Sequence, residues 1–532
     1  MSYSSLSERR RKVIGVMVDN YEWTPLPGWS GQLEPEFRID ETLASSIRSI
    51  SSDSRQVSSG TLFIAVQGEN YDGHDFVNDA VECGAVGVVI STGRKATSLA
   101  VPQIEVSDTR RAVAAISAAF YDHPSRKMKL IGVTGTNGKS STSIILHSLL
   151  MSGGLQAGLM TTIVTKIGRI EKENPTRLTL QEAPEVQRAL SEMWESGCTH
   201  VILEATSIGL DLSRLDYCEF EGAIFTNLTP DHLDYHLTMS AYREAKGLLF
   251  SKIRPSGFAV INGMDSEASF FKSLVEGKSV SVIEYSRDEL VRLEMSTGGT
   301  RFRCQLVGRV QPSTLITNLF GTYNMENLLA AIRACEVLGL DDDSLESGIV
   351  SIDKIPGRLD VVLEKPVTIV VDYAHSEDSL RQTLVILREA FDPQSNQQII
   401  VVIGSAGQRD PERRYGIARA LVTAADTIIL TDEDPRSEDS GLIIETIAHA
   451  VIDAGFKDSD HMLKIPDRRK AIARGLELAR QGDILLVAGK GHETSIEYEF
   501  GSIAWSDAGV VLEEWNSLRD VSGDYPVDRD GD

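Results

Sequence analysis

The chain is poor in cysteine: it has five in 532 residues (Cys83, Cys198, Cys218, Cys304 and Cys335), and no two of them form a CxxC pair. That scarcity excludes a disulfide framework or a zinc ribbon and fits a reducing compartment. Basic charge is also scarce, with 53 Lys plus Arg against 77 Asp plus Glu and a formal charge of −24. Duplex nucleic acid and anionic membranes both reward basic patches, so neither is expected as a partner, whereas a small anionic ligand needs only a local cradle. Long hydrophobic runs are missing as well. The most apolar early stretch, Val13 to Val18, breaks at Asp19, too short for a signal-peptide core or a membrane span, so a cytoplasmic location is expected. There is no internal repeat and no long low-complexity segment.

What is present is an ordinary globular composition, 42% hydrophobic and 24% charged, long enough for about three to five domains. Residues 1–40, with Trp23, Pro25, Pro27, Gly28 and Trp29, show no periodicity and read as an irregular N-terminal extension. Residues 41–124 read as a small α/β domain. There the apolar runs Leu62 to Val66 and Val86 to Ile90 alternate with turn clusters such as Asn70-Tyr71-Asp72-Gly73, and an Ala-rich helix from Arg110 to Tyr121 precedes a linker at Asp122 to Ser125. Residues 125–355 carry buried-strand runs at Leu130 to Thr134, Val201 to Leu203, Gly222 to Phe225 and Phe258 to Ile261, separated by helical patterns, which predicts a parallel sheet covered by helices. Residues 356–518 repeat that alternation, with strands at Thr368 to Val371, Gln398 to Ile403, Asp426 to Leu430 and Asp483 to Val487, as a Rossmann-like domain does. Residues 519–532 form an acidic tail, with five Asp against one Arg from Asp520 onward, and are expected to fray. The fold class expected is therefore α/β in three domains: small N-terminal, central P-loop ATPase-like, and C-terminal Rossmann-like.

The clearest chemical signal opens the central domain. After the run Leu130 to Thr134 come Gly135, Thr136, Asn137, Gly138, Lys139, Ser140 and Ser141, and then an apolar helix to Met151 that stops at Gly153-Gly154. Loop glycines let backbone N–H groups converge on anionic oxygens, and the helix N-terminus adds positive potential. Lys139 would neutralise the β/γ-phosphates and the Ser140 hydroxyl would reach Mg2+. Val133 stands where the common GxxxxGK spacing has its first glycine. A carboxylate and an imidazole, Glu204 after the strand His200 to Leu203 and His232 in Thr226 to Asp234, could supply further metal ligands, or could be a capped Glu and a hydrogen-bonded loop His.

Thr134-Gly135-Thr136-Asn137-Gly138-Lys139-Ser140 resembles the ATP loop of the Mur ligase family, the enzymes that add amino acids to the peptidoglycan stem. Further stretches resemble the same family in the same order from about residue 50 to 515, and most resemble the branch that adds the third residue. The resemblance implies that Glu204 and His232 bind metal. It also implies that Lys246, in Tyr242-Arg243-Glu244-Ala245-Lys246, is carried as a carbamate, which turns a cation into an oxygen donor for a second Mg2+. On this reading Lys139, His232 and Lys246 are the catalytic set, and without it Lys246 would be a solvated helix residue.

Asp53-Ser54-Arg55 and Tyr71-Asp72-Gly73-His74 resemble the family's uridine-nucleotide-holding first domain, which places Ser54 at the substrate. Thr179, Ser207 and Arg214 match acceptor-binding positions, but Leu180, Gln181 and Ile208 depart from the pattern. In the third domain Asn324, Arg358, Asp372 and His375 resemble the nucleotide-contacting positions, Arg358 for phosphate and Asp372 for ribose hydroxyls. Amino-acid choice is implied for Asp432-Glu433-Asp434-Pro435-Arg436 and Gly489-Lys490-Gly491-His492-Glu493. There Arg436 could pair with a distal carboxylate, while Asp434, standing where diaminopimelate-using relatives have Asn, and Glu493 would favour an amine.

The implied function is an ATP- and Mg2+-dependent ligase that adds a diamino acid, meso-diaminopimelate ahead of L-lysine, to UDP-N-acetylmuramoyl-L-alanyl-D-glutamate through an acyl phosphate, acting as a cytoplasmic monomer. The alternatives are a paralogue with another acceptor or amino acid, a folylpolyglutamate-type ligase, and a catalytically silent scaffold. Asp53-Ser54-Arg55 argues against the folate version, and the joint presence of Lys139, Glu204, His232 and Lys246 argues against the scaffold.

Overall fold

The structure, a computed structural model, describes residues 23–68, 71–95, 99–168, 170–173, 179–296, 298–390, 397–457 and 461–522. Residues 1–22, including the Val13 to Val18 run, Asn70 of the turn cluster, and residues 523–532 of the tail lie outside it. The chain divides into two compact units, one of residues 1–285 with 330–340 and one of 286–329 with 341–532. The expected domain start at Pro356 thus falls inside the second unit.

The first unit carries two sheets. Four parallel strands in chain order, Ser49–Ser51, Thr61–Ile64, Ala85–Ser91 and Gln103–Val106, form the smaller one. The helix Thr109–Phe120 packs on it because its Ala-rich sequence presents almost no side chain that must stay wet: ten of its residues are buried. Residues 23–40 are irregular, as expected, but they belong to this core rather than trailing from it. Trp29, Phe37 and Ile39 are buried, Trp29 meets Phe120 edge-on with centroids 5.4 Å apart, and the Trp23 indole N–H donates to the Phe120 carbonyl at 2.8 Å.

The larger sheet has eight strands, in the order Ser281–Tyr285, Ile253–Asn262, Phe220–Phe225, Lys129–Thr134, His200–Glu204, Ala157–Met160, Val164–Ile167 and Ile170–Glu173. The first six are parallel and the last two antiparallel. Strand Lys129–Thr134 lies in the middle, so both its faces are covered, which explains an apolar run rather than an alternating one. Its C-terminal end and that of His200–Glu204, its direct neighbour, open into the loops that carry the phosphate motif and Glu204. Ligands of open parallel sheets bind at such strand ends.

The second unit has a six-stranded sheet in the order Asp360–Leu363, Thr368–Asp372, Ile484–Ala488, Ile399–Ile403, Thr427–Leu430 and Met462–Lys464, parallel apart from the first strand. It also has an antiparallel sheet that was not among the expected strands, Leu290–Ser296, Gly299–Cys304 and Ser313–Thr317. The helix Asp507–Ser522 runs past Asp520, so the start of the expected tail is helical. No described helix is long and apolar enough to cross a membrane.

Candidate active site

The phosphate loop is shaped by two glycines. Gly138, at φ 81, caps the helix Lys139–Ser152, and Gly135, at φ 150, lets the loop pass against the neighbouring strand end. A Cβ on Gly135 would lie 1.9 Å from the Thr226 hydroxyl, so no other residue fits. The loop is laced to the segment after Phe225. Thr136 N–H donates to the Asn227 carbonyl at 2.8 Å, Asn137 N–H donates to Asn227 Oδ1 at 2.9 Å, and the Thr226 hydroxyl donates to the Asn137 carbonyl at 2.6 Å. Lys139 folds back, its ammonium donating to the Thr136 carbonyl at 2.8 Å.

Glu204 and Ser140 meet directly. The buried Ser140 hydroxyl donates to Glu204 Oε2 at 2.9 Å, and Thr162 donates to the same oxygen from its N–H at 3.0 Å and its hydroxyl at 3.1 Å. The Thr162 hydroxyl oxygen also lies 2.8 Å from that of Thr179, which draws Thr179 into the network. A carboxylate 2% exposed beside a P-loop hydroxyl is a hard-oxygen donor set suited to magnesium. Among the described residues no three or more His, Cys, Asp or Glu side chains group as metal ligands, so a complete site needs oxygens from elsewhere, such as a carbamate or a nucleotide phosphate.

Lys246 is not a solvated helix residue. It lies on the helix Met239–Ser251, is 1% exposed, donates from Nζ to the Gly135 carbonyl at 2.7 Å, and stands 4.3 Å from the Tyr242 ring centroid. Burial pushes its amine well below the ordinary lysine range; Lys139 reinforces the shift, and Asp231 and Glu204 oppose it. The Tyr242 hydroxyl meets Thr136 Oγ1 at 3.2 Å, so one helix touches the phosphate loop twice. His232 is in the left-handed region (φ 52), its side chain half exposed, with Nε2 at 3.6 Å from Asp231 and its ring centroid 6.4 Å from that of Tyr242. Desolvation lowers its titration, and the nearby Lys139 and Lys246 add to that against Asp231. Lys139, Glu204, Lys246 and Ser140 therefore come together, with His232 at the margin.

The acceptor residues are largely engaged internally. Arg214 donates to the Leu180 carbonyl at 3.0 Å and pairs with Glu182 at 2.5 Å, leaving Nε buried without a partner. Leu180 is buried and packs so closely on Gly209 that a Cβ there would lie 2.4 Å from it; this departure is a core contact. Ser207 is buried at the first turn of the short helix Ser207–Asp211. Ser54 opens a 3-10 turn behind Asp53, which holds Arg55 at 2.8 Å.

In the second unit the roles shift. Asp372 is buried and its carboxylate already accepts from Leu359 N–H at 2.6 Å, Ala374 N–H at 2.9 Å, the Thr383 hydroxyl at 3.2 Å and the Tyr323 hydroxyl at 3.5 Å. Asp372, the expected ribose acceptor, is thus engaged by four internal donors, and its bond to Leu359 pins the loop that carries Arg358. The Arg358 guanidinium lies 4.4 Å over the Tyr373 ring with Nε unpartnered, and His375 Nδ1 lies 2.7 Å from the Tyr373 carbonyl. Asn324 Oδ1 is buried and unpartnered, an acceptor still open to a ligand donor.

Asp434 is likewise committed. Its carboxylate takes the Lys490 ammonium at 2.8 Å and the Glu497 N–H at 2.9 Å, while Lys490, fully buried, also pairs with Glu493. Asp434 thus serves an internal lysine first, because 56 residues of separation hid a counter-ion one loop away. Arg436, at φ 56, donates its N–H to the Glu497 carbonyl at 2.9 Å, and Gly489, at φ 103, leaves room beside Glu433. Glu433, which lies in the motif implied to set amino-acid choice but was given no role of its own, is buried with Oε2 unpartnered.

Three family descriptions match this chain: "Mur ligase family, catalytic domain" over residues 46–121, "Mur ligase middle domain" over 133–335, and "Mur ligase, glutamate ligase domain" over 357–491. A UDP-N-acetylmuramoyl-L-alanyl-D-glutamate--2,6-diaminopimelate ligase of Geobacillus kaustophilus is 37% identical over 83% of this chain and 89% of its own length. A UDP-N-acetylmuramyl-tripeptide synthetase of Roseiflexus is 36% identical over 86% and 92%. A solved structure of a UDP-N-acetylmuramoyl-L-alanyl-D-glutamate--2,6-diaminopimelate ligase, 30% identical, superposes with a TM-score of 0.60 over 89% of this chain and 95% of that one. With a phosphate loop, a loop-bound buried lysine and a hydroxyl–carboxylate pair at the strand ends, and with relatives matched along nearly their whole length, the chain belongs to the Mur ligase family.

Proposed function

We propose that the chain is an ATP-dependent ligase that adds meso-diaminopimelate to UDP-N-acetylmuramoyl-L-alanyl-D-glutamate. The observation that carries this reading is Lys246: it is buried and hydrogen-bonded to the phosphate loop, and desolvation lowers the proton affinity of its amine, which favours the neutral form that carbamate formation needs. Lys139 and the loop amides hold the phosphates of ATP. Ser140, Glu204, His232 and a carbamate on Lys246 would hold Mg2+, which supplies charge neutralisation for phosphoryl transfer. The acceptor carboxylate attacks the γ-phosphorus, ADP leaves, and the amine displaces phosphate from the acyl phosphate. Thr179, Ser207 and Arg214 orient the acceptor peptide, Ser54 meets the uridine nucleotide, and Asn324, Arg358 and His375 are the nucleotide-contacting candidates within the second unit. Gly489 keeps the amino-acid pocket open.

The choice of amino acid follows from charge. Arg436 takes a distal carboxylate, while Asp434 and Glu493 share the single cation of Lys490 and so keep one net negative charge for an ammonium. A diamino acid with a second carboxylate satisfies both. The enzyme acts as a cytoplasmic monomer. Phosphate release by purified protein with the UDP-dipeptide, ATP, magnesium and a panel of amino acids tests this. It should depend on diaminopimelate and be weaker with lysine, and release independent of every amino acid would refute it.

A further inference from the structure

Arg468 and Asp507 form an ion pair with both side chains at 0% exposure. Arg468 donates from Nε to Asp507 Oδ1 at 2.8 Å and from Nη2 to Oδ2 at 2.7 Å. Its remaining donors reach two main-chain carbonyls, Nη1 to Asp432 at 3.1 Å and Nη2 to Ala488 at 2.8 Å, while the Trp505 indole N–H binds Asp507 at 2.8 Å. Those carbonyls are not arbitrary. Asp432 opens the segment 432–436, and Ala488 ends its strand immediately before the segment 489–493.

The strands feeding these segments, Thr427–Leu430 and Ile484–Ala488, are not neighbours, because Ile399–Ile403 lies between them. Two strand spacings, about 9.6 Å, separate them, so no ladder hydrogen bond fixes one segment against the other. Arg468 bridges the gap. The arrangement is costly: a buried pair loses its hydration, and Arg468 sits in the first turn of the helix Arg468–Leu478, where a cation opposes the helix dipole. Apolar side chains of similar volume would stabilise the fold as well.

We propose that Arg468 is a positioning residue for the amino-acid pocket, which fixes the separation of segments 432–436 and 489–493 and thereby the reach of Lys490 to Asp434. This rests on the reading above that these segments bind the incoming amino acid. The test uses the full-length enzyme as the double variant Arg468→Met/Asp507→Leu, which removes both charges, and as Arg468→Lys, which keeps the charge and loses the fork. KM for diaminopimelate, ATP and the UDP-dipeptide, kcat, and the melting temperature are measured for each. The expected result is a diaminopimelate KM raised about tenfold or more, with the other two KM values within about twofold and the double variant still folded. An unchanged diaminopimelate KM overturns the proposal, as does a parallel shift in all three KM values. If the double variant does not fold, Arg468→Lys decides by the same criterion. A wild-type enzyme without amino-acid-dependent phosphate release would instead refute the function itself.

Discussion

The ε-amine of Lys246 donates to the carbonyl oxygen of Gly135 at 2.7 Å, across 111 residues of chain. That one bond ties the helix Met239–Ser251 to the turn that must cradle phosphate, and it places an amine with a lowered proton affinity where a carbamate could face the nucleotide. Lys246→Ala should reduce ligation by about 100-fold or more while ADP affinity stays within about threefold, since on the proposed reading Lys139 and the loop amides, not Lys246, hold the phosphates. Calorimetric titration and a phosphate-release assay check the two halves. Added bicarbonate should raise the rate of carbon-dioxide-depleted wild type but not of the variant, and acetate should partly restore the variant.

Much of this was legible because it is local. The phosphate loop was readable from a β-branched strand, two glycines and a lysine–serine pair within eleven residues, and its helix stops at Ser152, one residue before the expected glycine pair. The partners were not readable. Glu204 reaches Ser140 from 64 positions away, and Lys490 neutralises Asp434 from 56, so neither pairing leaves a spacing signal. Trp29 and Phe37 looked like parts of a loose extension because 3-10 turns bury side chains without periodicity. In the sheet from Leu290 to Thr317 only the first strand has its alternation broken, by a register shift between Arg292 and Glu294; Gly299–Cys304 and Ser313–Thr317 alternate in burial and were legible in principle.

Leu237 offers a stability test beside the site. It is 80% exposed and holds φ 63 and ψ −34, outside the regions a branched side chain prefers. Relief of such strain is worth about 1–3 kcal/mol, against about 1 kcal/mol for the freer unfolded chain of a glycine. Leu237→Gly should therefore stabilise the protein by up to about 2 kcal/mol, measured as a higher urea midpoint with an unchanged slope.

Acid sensitivity should come from two buried imidazoles in the same unit. Burial pushes His147 and His200 down to about 4 each, and each has an unpartnered Nε2. The unfolded chain binds their protons near pH 6.5, while the folded chain refuses them until about 4, so stability is full above 6.5 and falls as the pH drops towards 4. Between pH 7 and 5 each histidine should cost about 2 kcal/mol. His147→Gln should remove about half of the combined loss in urea unfolding at pH 5, with little effect on the pH dependence above 7.

On the proposed function the acceptor carboxylate itself takes the γ-phosphate. An acceptor labelled with 18O in the D-glutamyl carboxylate that is ligated reports this directly, because the oxygen that attacks phosphorus leaves with the phosphate when the amine forms the amide. Mass spectrometry of the phosphate released with ATP, magnesium and diaminopimelate should find one 18O per phosphate from each labelled acceptor consumed. Unlabelled phosphate alongside the amide product would contradict the acyl phosphate, and with it the roles assigned to Lys139 and Lys246.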